Sequence, residues 1–125
     1  MKQLPRISES EWMVMQVLWS SGPSTANEVV KELSGKTKWK PKTIKTLITR
    51  LTKKGAVKFE KEGRTYRYYP AIGKAECTRM ERRSFVRRVY GGSTRPMLAS
   101  FLEDAELSAE DIAELKNILE QKAEE

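Results

Sequence analysis

Between Pro41 and Gly55 the sequence specifies a helix at both ends and along one face, and this segment restricts every fold open to the chain. Pro41 suits a first helical turn, where its missing N–H costs nothing, and Gly55 suits the left-handed residue just past a helix end. Ile44, Leu47, Ile48 and Leu51 follow the i, i+3, i+4, i+7 spacing of a helix lying on a core. Lys42, Thr46, Thr49 and Lys53 face the other way, flanked by Thr43, Lys45 and Arg50. At about 1.5 Å of rise per residue they form a band about 15 Å long. From Lys40 to Gly55 there are six cations, four threonines and no acid. A merely solvated face mixes signs, because like charges at i, i+4 cost a few tenths of a kcal/mol each, whereas this one is suited to a polyanion.

The flanking segments indicate how such a helix is mounted. Ser8 and Glu11 form a capping box, with Ile7 and Trp12 as its hydrophobic staple, so a first helix is expected from Ser8 with Trp12, Met15, Leu18 and Trp19 on its apolar face. After the break at "SSGPS", Thr25 and Glu28 open a second helix that carries Ala26, Val29, Val30 and Leu33 and ends near Gly35. Beyond Gly55 the hydrophobic period changes from 3.6 to 2. Val57 and Phe59 lie on one strand and Tyr66 and Tyr68 on the next, joined around Glu62 and Gly63. Tyr66 and Tyr68 are read as facing the core, while Tyr69 and Trp39 are left open between core packing and base stacking.

Three helices followed by a hairpin give the winged variant of helix-turn-helix, whose third helix enters the major groove while the hairpin lies over neighbouring phosphates. The expected fold is mainly α with a small β-hairpin. Residues 1–72 form the DNA-binding domain and residues 73–125 a helical dimerisation region. Lys42, Thr43, Lys45, Thr46, Arg50, Lys53 and Lys54 on the helix, with Lys61 and Arg64 on the hairpin, are the expected contacts to double-stranded DNA. Cations neutralise phosphates, and short hydroxyl side chains approach base edges.

The net charge of +7 conceals a division: residues 1–95 hold 22 Lys and Arg against 8 Asp and Glu, and residues 96–125 hold 2 against 9. The last part therefore has a different task. Its helical segments place Phe85, Val89, Met97, Leu98, Leu102, Ile112, Leu115 and Leu119 on apolar faces, and a third capping box joins Ser108 to Asp111. About 50 residues with so few apolar groups need a partner surface, and a second copy of the chain is expected to supply it. With no histidine and one cysteine, Cys77, there are no parts for a Ser-His or Cys-His pair, an internal disulfide or a zinc site. No enzyme activity, metal or cofactor is expected. Neither a signal segment nor an apolar run of membrane-spanning length is apparent, so a cytoplasmic protein without membrane insertion is expected. Charge alone would also serve a non-specific nucleoid protein.

The runs "ISESEWMVMQVLW", "PKTIKTLITRLTKKGAV", "KEGRTYRYYP" and "FLEDAELSAEDIAELKNIL" occur in the order, and over essentially the whole chain, that resembles the penicillinase repressor family, BlaI/MecI. The resemblance implies a homodimeric winged-helix repressor on dyad operators ahead of β-lactamase or penicillin-binding-protein genes. Residues matching Lys42, Thr43, Thr46 and Arg50 serve the DNA contact in that family. It further implies inactivation by proteolysis, begun by a membrane β-lactam sensor with a metalloprotease domain, at a bond matching Ser100-Phe101. The family has asparagine where this chain has Ser100. Copper-responsive relatives carry a C-terminal cysteine-rich motif that is absent here, and some members act on genes unrelated to β-lactams.

Overall fold

The computed structural model describes residues 6–125. Its first element, α1 (Glu9–Ser21), starts where the capping box places it: the Ser8 hydroxyl accepts from the Glu11 N–H and the Glu11 carboxylate accepts from the Ser8 N–H. Helix α2 (Ala26–Ser34) opens on the reciprocal Thr25–Glu28 box. Helix α3 (Pro41–Lys54) has proline in its first turn, and Gly55, at φ 83°, closes it by donating its N–H to the carbonyls of Leu51 and Thr52. These caps satisfy terminal backbone groups locally at the starts of α1 and α2 and at the end of α3.

The three helices converge on one core. Ile44, Leu47, Ile48 and Leu51 of α3 pack with Val14, Met15, Val17 and Leu18 of α1 and Val29 and Leu33 of α2. The expected face of α1 was too narrow, since Val14 and Val17 are buried while Trp12 and Trp19 are only partly so. The two tryptophans meet edge to face at 5.5 Å, and the Trp19 indole N–H donates to the Ile72 carbonyl at 3.0 Å.

Strands β2 (Val57–Glu62) and β3 (Thr65–Pro70) form the hairpin, and a two-residue strand β1 (Ser24–Thr25) adds to its other side in the order β1-β3-β2. All pairings are antiparallel, with Phe59 opposite Tyr68 and Lys61 opposite Tyr66. No sequence signal marks β1, because two residues are too few to show a period. Only Val57, at the base of β2, is buried. Further out Phe59 and Tyr66 are 48% and 44% exposed and meet edge to face at 5.1 Å, so the expectation that Tyr66 faces the core is not met. The hairpin projects past the helices, and its aromatics cover each other. Tyr68, nearer the base, and Trp39 do pack against the core.

Helix α4 (Lys74–Tyr90) crosses between two compact units, one ending at Met80 and the other beginning at Glu81. Ile72, Cys77 and Met80 belong to the first unit's core, so this division falls later than the expected boundary at residue 72. In the second unit Gly91 and Gly92, both at positive φ, end α4, and α5 (Thr94–Asp104) and α6 (Ala109–Ala123) follow, the latter opened by the Ser108–Asp111 box. Phe85, Tyr90 and Phe101 form an aromatic cluster there, with Phe85 and Phe101 at 5.9 Å. Neither α5 nor α6 has a buried residue.

Glu11 is 1% exposed and pairs with Lys54, 43 residues away. Burial alone pushes its carboxyl up, but hydrogen bonds from Lys54 and Ser8, with the Lys54 charge, hold it below the usual glutamate value. A carboxyl depressed by folding adds stability that is complete above its unfolded value, about 4.3, and is lost as pH falls through the folded one. Urea midpoints are therefore expected to hold from pH 7 to about pH 5 and to drop below about pH 4.3. Glu11→Gln should lower the plateau and flatten the drop; a variant profile parallel to that of the parent would refute the assignment.

Candidate nucleic-acid interface

Lys42, Thr43, Lys45, Thr46, Thr49, Arg50 and Lys53 all lie on the exposed side of α3, opposite the buried Ile44, Leu47, Ile48 and Leu51. Lys42, Lys45, Thr46 and Thr49 line a shallow depression on that side. None of Lys42, Lys45, Arg50 and Lys53 has a carboxylate within 4.0 Å among the described residues. Lys53 is well placed for the helix dipole at the C-terminal end, whereas Lys42 and Lys45, in the first turns, oppose it. Helix stability thus does not account for cations at the N-terminal end.

The threonines are held in a common way. The Thr46 hydroxyl donates to the Lys42 carbonyl at 2.9 Å, Thr49 to Lys45 at 3.0 Å, and Thr52 to Ile48 at 2.8 Å. Each proton is committed to the preceding turn, which fixes the side chain and leaves the oxygen lone pairs and the methyl group for other contacts.

Three cations on and around this helix, Lys54, Arg67 and Lys36, are paired within the fold. Lys54 turns inward: its ammonium bonds the buried Glu11 carboxylate and the Arg6 carbonyl, the latter at 2.8 Å. Lys54, expected to present its charge to a polyanion, is here paired with the nearby buried carboxylate. Arg67 is held by Glu62, by Glu28 at 3.7 Å and by the Pro23 carbonyl at 3.2 Å. Lys36 pairs with Glu32. Nothing in the local sequence signals the long-range pair, since its partner lies two helices away.

On the hairpin, Lys61 and Arg64 are both exposed, Arg64 following Gly63 at the tip. Gly63 has φ 65°, which a two-residue turn between antiparallel strands requires. The alternation of the strands puts Lys61 on the same face as Phe59, Tyr66 and Tyr68, while Glu60, Glu62 and Arg67 take the opposite face. One side of the hairpin carries Phe59, Tyr66, Tyr68 and Lys61, and on the other Arg67 is paired with Glu62.

In the second unit the residues expected at a dimer interface are open. Val89, Leu98, Leu102, Ile112 and Leu119 are 42–58% exposed, and Phe85, Met97 and Leu115 are half-buried. Ser100 and Phe101 lie inside α5, Phe101 being 49% exposed. Among the described residues there is no cluster of three or more His, Cys, Asp or Glu placed to hold a metal ion, and no helix is long and apolar enough to cross a membrane.

A family model described as penicillinase repressor matches residues 7–121. The chain is 45% identical to the penicillinase repressor of Bacillus licheniformis over 97% of its own length and 94% of that protein's. It is 36% identical to the methicillin resistance regulatory protein MecI of Mammaliicoccus sciuri, over 93% and 94% of the two chains. Among solved structures it resembles the DNA-binding domain of the repressor BlaI, with TM-score 0.55 and 47% identity over 61% of this chain and 93% of that one. It also resembles Bacillus licheniformis BlaI in its monomeric form in complex with the blaP half-operator, with TM-score 0.54, 47% identity and the same coverage. With its winged helix, its unneutralised α3 face and these matches over nearly its whole length, the chain belongs to the penicillinase repressor family of DNA-binding transcriptional repressors.

Proposed function

We propose that the protein is a homodimeric, cytoplasmic repressor that reads a dyad operator controlling β-lactamase or penicillin-binding-protein genes and is released by proteolysis. The observation that carries the DNA reading is the outer face of α3, where fixed threonines stand among cations that no carboxylate of the fold neutralises. Lys42, Thr43, Lys45, Thr46 and Arg50 enter the major groove, Lys53 meets phosphate at its edge, and Lys61 and Arg64 reach flanking phosphates. Lys54 is omitted from this set. The Bacillus licheniformis relative is bound to a half-operator as a monomer, which supports one winged unit per half-site. Thr46→Ala is expected to relax preference at one base step per half-site by about 1 kcal/mol or more. Lys53→Ala should weaken every sequence alike and reduce the salt slope by about 0.9. Equal losses for Thr46→Ala on operator and random duplex would remove it from the base contacts. Competition by unrelated DNA at fixed salt also separates a repressor, preferring its dyad by roughly 10³-fold or more, from a nucleoid protein that hardly discriminates.

The dimer reading rests on where apolar groups remain exposed. Among the described residues, seven of the nine large apolar side chains most open to solvent lie in the second unit. Phe85, Val89, Met97, Leu98, Leu102, Ile112, Leu115 and Leu119 are the proposed interface. Because Ile72, Cys77 and Met80 complete the first unit's core, the informative truncation follows Met80. That fragment should be a folded monomer binding a half-site weakly, since two linked heads gain their affinity by acting together. A fragment still dimeric by sedimentation at micromolar concentration would place the interface elsewhere.

Release by cutting between Ser100 and Phe101 is supported by position. A protease takes an extended segment, so α5 must unwind first, and a helix with no buried residue opens at low cost. The cut would detach α6 and its share of the interface. In cells that carry the cognate membrane sensor with its metalloprotease domain, intact mass after β-lactam exposure should show the two fragments. A whole chain accompanied by induction of the target gene would instead mean that another signal releases it.

A further inference from the structure

The Glu11–Lys54 pair is an odd choice for stability. The Glu11 carboxylate is taken from water while Lys54 stays about a third exposed at 35%, and Glu11 Oε2 is buried with no hydrogen-bond partner among the described residues. Paired charges in such a site gain little over well-packed apolar groups of the same size. What the pair supplies is direction. The apolar stripe of α3 holds it on the core through contacts that are not directional, so alone it tolerates small rotations about the helix axis. An ion pair whose two members are each held by a further hydrogen bond narrows that range.

The pair is also anchored at both ends. Glu11 sits in the first turn of α1, where the Ser8 N–H donates to Oε1 at 2.8 Å. Lys54 ends α3, and its ammonium also donates to the Arg6 carbonyl. With side chains reaching about 5–6 Å from the axis, a rotation of about 20° moves an outer group by about 2 Å, more than a base hydrogen bond tolerates.

We infer that Glu11, through Lys54, is a positioning residue for base reading: it sets the rotation of α3, so that sequence preference depends on a buried carboxylate that touches no DNA. The inference rests on the proposed contacts of α3 and concerns the selectivity of that surface. Lys54 itself contributes neither a phosphate contact nor a share of the salt dependence.

The test uses the full chain and two duplexes, one bearing the dyad that the parent protein enriches from a randomised pool and one of random sequence. Glu11→Gln with Lys54→Met removes both charges, leaves the net charge unchanged and keeps an acceptor for the Ser8 N–H. This double variant avoids the orphaned carboxylate that Lys54→Met alone would leave, so it remains informative if the single variant fails to fold. With folding verified by circular dichroism at the assay temperature, it should lose tenfold or more of the preference for the dyad. Its affinity for random duplex should stay within about twofold of the parent, with the salt slope unchanged. Lys54→Arg alone, which keeps a charged pair with Glu11, should retain most of the preference.

Full preference in the double variant overturns the inference and leaves the DNA reading intact. A salt slope reduced by about 0.9, with both duplexes weakened equally, also overturns it by making Lys54 a phosphate contact. A parent protein that enriches no sequence at all would sink the functional reading, and this inference with it.

Discussion

The packing of Ile44, Leu47, Ile48 and Leu51 against α1 and α2 is the contact on which the rest of the structure depends. These four side chains, each 4% exposed or less, turn a strongly cationic helix into a fixed part of a core. Without that attachment the charges on its outer side would favour separation and solvation, since like charges on a helix repel. The core supplies the opposing attraction, and what it buries decides that Lys42, Lys45, Thr46 and Arg50 lie on the open side. The hairpin takes its place from the same contact: Ala56 and Val57 continue directly from Gly55 into the core, so the angle at which β2 leaves is set where α3 ends.

Much of this was legible in the chain because it is local. The three capping boxes reach only from a residue to its third neighbour, and Pro41 and Gly55 mark the ends of α3 by their own backbone preferences. The outer face of α3 followed from its inner face, since a helix period assigns both. What escaped was set by distance or brevity. Glu11 reads as a capping residue and Lys54 as one more surface cation; only the tertiary fold makes them partners. Tyr66 carries an inward-facing alternation, yet the strand outruns the helices that would cover it. Ser24–Thr25 becomes a strand only because β3 is there to bond it.

The two units divide the chemistry between them. The first gathers nearly all the fully buried side chains together with the unneutralised cations of α3, and it is complete by Met80. The second leaves Val89, Leu98, Leu102, Ile112, Ile118 and Leu119 about half open and is rich in acids. A region assembled in this way gains stability mainly from what it associates with, so on the proposed reading its folding and the pairing of two chains are one equilibrium. On that same reading, breaking α5 removes a surface that the winged unit does not itself need.

The back-bonded threonines of α3 have a consequence for the alphabet this helix can read. With their protons given to the carbonyls of Lys42 and Lys45, Thr46 and Thr49 are acceptors and methyl bearers only. Such groups match the amino groups of adenine and cytosine or the methyl of thymine, and they have nothing to offer the acceptor edge of guanine. Guanine is left to Arg50 and the lysines, whose long side chains can swing by several ångströms. On the proposed reading the helix carries two kinds of reader: fixed hydroxyls and methyl groups suited to adenine, cytosine and thymine, and mobile cations suited to guanine.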